Sequence, residues 1–421
     1  MEIGIIGTGA IGKAYARTFA KKGVIVNCCD LPEKMDSLEN ELTSPNIRIL
    51  DSGVDVSKRS DIVFYLTPTE VVSDAIANYG PSTKPGATVS SGTSVMTPAI
   101  EAFNKHLRPD VNIINWHWLF GPSLSPVGRN SILANYRSTG DAYRMARDVF
   151  ELAETKINEL DYVEHDKKTA DTQVVTQVGY ESMGLAWANV GVYPWEDDMY
   201  SNWIDAVKIL MTLRLFKGQS HVYSGLAMFN PFAPEQVSQY AQSVKELFGM
   251  SLSGEGSAVI ERLNNVREYT LKNANGNVGV DVIKSFCSNG NVRLPNSDIS
   301  VIAMADAWCK LGINPEDNMV CSTPLYNLKR AIVQGLFSDD DLFYSSVDTL
   351  LDAHGSIRKH DLAFALASQD WSSIISCRAI KGYQERFESV QSFFGPEKLD
   401  DGFRKSSELI ENYDKELACK I

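Results

Sequence analysis

Short apolar runs alternate with helical stretches through the first part of the chain. Ile3–Ile6, Val24–Cys29, Ile47–Leu50, Ile62–Leu66, Ala87–Ser90 and Asn112–Trp116 each read as a strand. Several are continuous apolar runs, the pattern of parallel strands covered on both faces. Ala10–Lys22, Val71–Tyr79 and Pro98–Lys105 carry helical spacing between them. This alternation predicts a doubly wound, mostly parallel α/β sheet. Further runs at Ile132–Asn135 and Asp161–Val163 are expected to extend it.

The pattern changes after Glu164. From His165 to Gly191 nothing is strong enough to stop a long helix, and Pro194 closes that region. Ile204–Phe216, Pro234–Phe248, Ala258–Lys272 and Ile299–Leu311 repeat the helical period, while strand signals fade. Ala274–Pro295 is rich in Gly and Asn and reads as a loop. Helical spacing then runs to the end, punctuated at Gly355 and Gly395–Pro396. The expected organisation is an α/β domain over residues 1–163 and an all-α domain over 164–421.

Composition narrows the function classes. The chain has 421 residues, enough for two domains, and is 44% hydrophobic and 22% charged, an ordinary folded composition. A net charge of -13 with no basic block argues against nucleic acid or an anionic membrane as partner. No apolar stretch approaches the length of a membrane span, and no leader pattern precedes the first strand. The seven cysteines lack C-x-x-C spacing, so a reduced, cytoplasmic chain without a metal site is expected.

Gly7-Thr8-Gly9-Ala10-Ile11-Gly12 follows the first strand and opens the first helix. In that context it reads as a Rossmann dinucleotide fingerprint. Gly7 permits the tight turn, Gly9 lets a pyrophosphate approach the backbone, and Gly12 lets helix and strand pack closely. Asp30 ends the second strand, where a carboxylate accepts the ribose hydroxyls and by itself favours NAD. Lys34 and Lys58 are within reach of a 2′-phosphate, which keeps NADP open. The Thr67-Pro68 turn stands where the nicotinamide half would pass.

Two further segments lie at carboxyl ends of strands, where open α/β sheets bind ligands. These are Ser91–Val95 and Trp116–Pro122. Among six histidines only His117 sits at such a strand end. Oxidation of a carbinol needs a base for the hydroxyl proton, and histidine suits that at neutral pH. A packed histidine between Trp116 and Trp118 is an equally good reading of the spacing. Ser94 is placed to orient His117 or to bind the same hydroxyl; as a plain structural residue it would cap the helix that follows. Arg214 lies in an apolar helix and needs an anion, either a structural Asp or Glu or a substrate carboxylate.

At these segments the chain resembles the prephenate and arogenate dehydrogenases, most closely their fungal branch. The resemblance covers nearly the whole chain. It rests on the glycine motif, Ser94-Val95, His117 with Phe120-Gly121-Pro122, Glu164–Gln173, Tyr193-Pro194-Trp195 and Cys321–Leu325. It implies oxidative decarboxylation of prephenate by a soluble enzyme of tyrosine biosynthesis. His117 would be the catalytic base, with Ser94 supporting it. Arg214 and Tyr223 would bind substrate, with Gln173 and Thr176 as weaker additions. It also implies a homodimer formed through the helical domain, and NADP as cofactor, against the local preference of Asp30 for NAD. Ser91 and Met96 stand where many bacterial relatives carry an acidic residue and a lysine, so substrate orientation is expected to differ. The rival readings are an arogenate dehydrogenase, a 6-phosphogluconate-type enzyme with Lys168 or Lys208 as its lysine, and a non-catalytic dinucleotide-binding protein.

Overall fold

The structure is a computed structural model. It describes residues 1–122, 124–196, 200, 202–274, 279–287, 296–352 and 354–419. The chain divides into two compact units. Met1–Thr169 with Phe229–Pro231 forms the first, and Ala170–Met228 with Phe232–Ile421 forms the second.

The first unit holds an eight-stranded sheet: β1 Glu2–Ile6, β2 Ile25–Cys29, β3 Ile47–Ile49, β4 Ile62–Tyr65, β5 Thr88–Ser91, β6 Asn112–Trp118, β7 Asn130–Arg137 and β8 Lys156–Glu159. Their order is β3-β2-β1-β4-β5-β6-β7-β8. All neighbouring pairs are parallel except β6 with β7. The helices of this unit are α1 Ala10–Lys21, α2 Met35–Glu41, α3 Gly53–Arg59, α4 Thr69–Tyr79, α5 Thr97–His106, α6 Gly140–Glu151 and α7 Tyr162–Thr169. Strand order reverses between β1 and β4, the switch point at which such sheets take a dinucleotide.

Two expectations for this unit are corrected. Asp161–Val163 is not a strand. Asp161 Oδ1 accepts the amides of Val163 and Glu164 at 2.8 and 3.0 Å, which starts α7. The eighth strand lies earlier, at Lys156–Glu159, on the sheet's edge, where a polar sequence with a single isoleucine suffices. β6 also runs past Trp116 to Trp118, because β7 pairs His117 with Ile132 and Trp118 with Ser131.

Aromatic packing fixes β6 in place. The Trp116 ring stacks on Phe150 at 4.6 Å, and the Trp118 ring on Tyr15 at 4.0 Å. The Tyr15 hydroxyl donates to the Trp116 carbonyl at 3.3 Å. Both tryptophans belong to the core formed with Phe19 and Phe64. Alternation along a strand then turns His117 to the opposite face.

The second unit is helical. A π-helical turn, Ala170–Val174, precedes α8 Val175–Val190, α9 Trp203–Phe216, α10 Ser220–Phe229, α11 Ala233–Leu252 and α12 Gly256–Lys272. Then come α13 Val280–Cys287, α14 Ile299–Leu311, α15 Pro324–Ser338, α16 Asp340–Asp352, α17 Gly355–Ser376, α18 Ile380–Phe394 and α19 Pro396–Cys419. The Gly- and Asn-rich stretch expected as a loop therefore contains α13; residues 275–278 and 288–295 of it lie outside the described residues. α17 packs against both α8 and α11, and α19 against α9. Asn202 closes a capping box with Asp205 at the start of α9. No described helix is long and apolar enough to cross a membrane.

Candidate active site

The glycine motif has the shape of a phosphate cradle. Gly7 adopts φ 91°, and a Cβ there would sit 2.9 Å from the Leu66 carbonyl. At Gly12 a Cβ would lie 2.4 Å from the Gly7 carbonyl oxygen, so only glycine lets α1 start this close to β1. At Gly9 a Cβ would meet nothing within 4 Å. The space above Gly9 is open, and Gly9 and Ala10 are exposed while Ile11 is half-buried. Thr8 is turned inward, its hydroxyl donating to the Cys29 carbonyl at 2.9 Å. The Thr67 hydroxyl is buried without a hydrogen-bond partner, and its methyl group flanks Gly7; Pro68 caps α4 beside it. An open cradle at a helix N-terminus beside an orphaned hydroxyl fits a dinucleotide.

Asp30 does not stand as a bare carboxylate. Its Oδ1 accepts the Leu31 amide at 2.8 Å, and the exposed Lys34 ammonium lies 3.6 Å away. That pairing offsets the charge which would repel a 2′-phosphate, and it sets a cation beside the ribose position. Lys58 is exposed on α3.

His117 is the last residue but one of β6 and is 5% exposed. Its Nδ1 lies 3.0 Å from Nε2 of His165 on α7. His165 Nδ1 lies 2.8 Å from Asp166 Oδ1. Asp166 also accepts the amides of Met96 and Thr97 at 2.8 and 2.9 Å and the Thr97 hydroxyl at 2.7 Å. The Asn230 amide holds the Asp166 carbonyl at 2.8 Å. The packed-between-tryptophans reading of His117 is therefore set aside, since the ring faces a histidine and not the aromatic core. Burial, and then the neighbouring His165, hold His117 well below the usual histidine range, so it is neutral and able to act as a base.

Ser94 follows β5 at the same sheet edge. It is half-buried, and its hydroxyl makes no hydrogen bond among the described residues. Its reading as a helix cap is corrected: Asp166, from α7, takes the amides at the start of α5. His165 and Asp166 are the residues that sequence reasoning missed. They were quoted only as part of a resembling segment. The available signal was a histidine and an aspartate inside a helix otherwise made of exposed charges.

In the second unit Arg214 is half-buried on α9. Its Nη1 donates to Ser407 and Ser406 of α19 at 2.9 and 3.3 Å, and its guanidinium lies 4.6 Å over the Phe403 ring. No carboxylate lies within ion-pair distance of it among the described residues. Glu181, fully buried, accepts the Tyr383 hydroxyl, and burial pushes its carboxyl up to about 8. At neutral pH it is protonated and leaves the arginine uncompensated. Burial pulls the Arg214 guanidinium below its ordinary value, the mark of a cation short of an anion. Tyr223 is half-buried and stacks on Phe387 at 5.3 Å, and Gly218 leaves room for its ring. Gln173 is buried in the π turn and donates to the Cys321 carbonyl at 3.4 Å. Thr176 is buried with no partner for its hydroxyl.

Lys208 does not suit a proton-transfer role. It pairs with Asp298 and, at 3.1 Å, with Asp205. Burial works against its charge, but the two carboxylates outweigh that and raise its pKa. Lys168 pairs with Glu164 at 3.6 Å. Among the described residues no cluster of His, Cys, Asp and Glu could hold a metal.

Residues 174–415 match the family described as a 6-phosphogluconate dehydrogenase C-terminal domain. Residues 2–93 match the family described as NADP oxidoreductase coenzyme F420-dependent. The chain is 33% identical to a probable prephenate dehydrogenase [NADP(+)] of Schizosaccharomyces pombe, over 98% of this chain and 99% of that protein. It is 36% identical to prephenate dehydrogenase [NADP(+)] of Saccharomyces cerevisiae, over 94% of this chain and 90% of that one. A solved prephenate dehydrogenase from A. aeolicus, in complex with hydroxyphenyl propionate and NAD+, overlaps at a TM-score of 0.48. It is 15% identical over 65% of this chain and 98% of that one.

Proposed function

The chain belongs to the prephenate dehydrogenase family, and on that premise we propose that it converts prephenate to 4-hydroxyphenylpyruvate and CO₂ with NADP⁺ as hydride acceptor. The observation that carries this reading is His117, a buried neutral imidazole at the carboxyl end of a central strand. Its Nε2 makes no hydrogen bond among the described residues.

When bound, NADP⁺ takes the hydride from the ring carbon that bears the hydroxyl. Gly9 and the amides that open α1 would hold its pyrophosphate, with Gly7, Thr8, Ala10, Ile11 and Gly12 shaping the turn. Thr67 and Pro68 border the path of its nicotinamide half. Asp30 would meet the adenosine ribose and Lys34 the 2′-phosphate. Nε2 of His117 accepts the hydroxyl proton as the carbon–oxygen double bond forms. Loss of the ring carboxylate as CO₂ returns an electron pair to the ring and leaves a phenolate oxygen. His117 gives the proton back to that oxygen. The base thus ends as it began, and the reaction releases no net proton.

Ser94 would bind the same hydroxyl, since its own is unengaged. Arg214 would hold a substrate carboxylate through its fork, with Tyr223 beside it and Gln173 and Thr176 as lesser contacts. A homodimer through the helical unit and a cytoplasmic location belong to the same reading.

The test is the initial rate of nicotinamide reduction with prephenate and with arogenate, each against NADP⁺ and NAD⁺. Turnover of prephenate with NADP⁺ preferred is expected. Preference for arogenate would change the substrate, and preference for NAD⁺ would make Asp30 the deciding residue. No turnover in any combination would refute the reading.

A further inference from the structure

We propose that His165 and Asp166 are positioning residues that fix the tautomer of His117, leaving its Nε2 free to take a proton. The inference rests on the functional reading for what that proton is, but the tautomer stands on hydrogen-bond geometry alone.

The argument runs from the fixed end of the chain of contacts. Two backbone amides and one hydroxyl donate to Asp166, so both of its oxygens act as acceptors. His165 Nδ1, 2.8 Å from Oδ1, must then carry the hydrogen and donate. A neutral imidazole has one donor and one acceptor nitrogen, so His165 Nε2 accepts. His117 Nδ1, 3.0 Å away, is left to donate. By the same rule His117 Nε2 has a lone pair and no hydrogen. The polarity of three side chains is set by backbone amides that cannot reverse.

The chain is closed to solvent. His165 and Asp166 are fully buried and His117 nearly so. Water is therefore not on hand to exchange one tautomer for the other. A group that only filled space would leave the two tautomers of His117 to their own balance.

Three variants test this. His165→Gln can donate to Asp166 through its amide nitrogen and accept from His117 through its oxygen, so it preserves the polarity without being an imidazole. His165→Leu removes both contacts. Asp166→Asn can present a donor to His165, which reverses the chain and places the hydrogen on His117 Nε2.

With prephenate, the Leu and Asn variants should lose roughly 10²–10⁴-fold in kcat, the usual worth of a positioned base. KM for prephenate and NADPH affinity should stay near wild type. The Gln variant should recover most of kcat. Adding Asp166→Asn to His117→Asn should cost nothing more, because groups acting as a unit are not additive.

The second readout is the ¹⁵N spectrum of His117 in the substrate-free protein. It should show hydrogen on Nδ1 in wild type and His165→Gln, and on Nε2 in Asp166→Asn. It needs no turnover, so it judges the chain even if prephenate is the wrong substrate. Asp166 also caps α5, so if Asp166→Asn does not fold, the two His165 variants decide alone. Wild-type kcat in His165→Leu, a Gln variant no better than Leu, or an unchanged His117 signature would overturn the proposal.

Discussion

Replacing Gly9 with alanine should separate cofactor binding from folding. Gly9 has φ -69° and ψ -159°, extended backbone that any residue adopts, and its added methyl would meet nothing within 4 Å. The fold should therefore change by no more than about 0.5 kcal/mol, as at an unconstrained surface position. The methyl would stand where the pyrophosphate approaches the amides of α1. Losing one charged hydrogen bond of that kind costs about 1.5–3 kcal/mol, or roughly 10–150-fold in Kd. Gly12→Ala is the opposite case. Its methyl would lie 2.4 Å from the Gly7 carbonyl oxygen, against an ordinary carbon–oxygen contact of about 3.4 Å. The obstacle is backbone and cannot rotate away, so α1 must retreat by about 1 Å. Overpacking of that size costs about 2 kcal/mol, or roughly 4–8 °C in Tm. The assays are thermal unfolding without cofactor and NADPH binding by fluorescence titration. If Gly9→Ala bound NADPH as tightly as wild type, the loop would not be the cradle. If it melted as early as Gly12→Ala, the steric reasoning would be wrong.

Arg214→Ala should raise KM for prephenate by roughly 10–100-fold with a smaller effect on kcat, from loss of a charged fork contact. Arg214→Lys should recover only part, since an ammonium lacks the fork, and an unchanged KM in the alanine variant removes Arg214 from the site. The acid limb of kcat/KM should lie below pH 6.5, because burial depresses the His117 pKa and keeps the base neutral there. The same shift fixes the sign for stability: below a pH of about 6.5 the unfolded chain binds the proton first. Stability contributed by neutral His117 is thus present above pH 6.5 and declines as pH falls towards the folded pKa. An acid limb at pH 7 or above would sink this account of the base.

The parallel core strands were legible because both faces are buried, and their apolar runs declare themselves. The glycine motif was legible because its strand and helix flank it within a few residues. β8 was not, since an edge strand of sequence Lys-Ile-Asn-Glu carries no apolar run. Asp161 misled for a related reason: followed by Tyr162 and Val163 it resembles a strand, while its carboxylate caps α7. At the site, His117 could be placed at a strand end from sequence. Its partner His165 lies 48 residues away and looks like part of a charged surface helix. The surroundings of Arg214 were equally hidden, because Ser406 and Ser407 lie 192 and 193 residues downstream.

One carboxylate carries two duties in this arrangement. Asp166 accepts the amides that open α5 and also ends the chain of contacts that sets His117. An N-cap of this kind is worth about 0.5–2 kcal/mol, so Asp166 variants should move stability and chemistry together. His165 makes no backbone contact through its ring nitrogens, and its variants should move the chemistry with less effect on the cap. The two positions therefore differ in what they disturb. The alternation of β6 divides labour in the same way, with Trp116 and Trp118 holding the strand in the core and His117 turned to the other face. A base whose ring is clamped by neighbours on both sides of the chain, and whose far nitrogen is held by a donor–acceptor sequence starting from backbone amides, pays no reorganisation when the hydroxyl proton arrives.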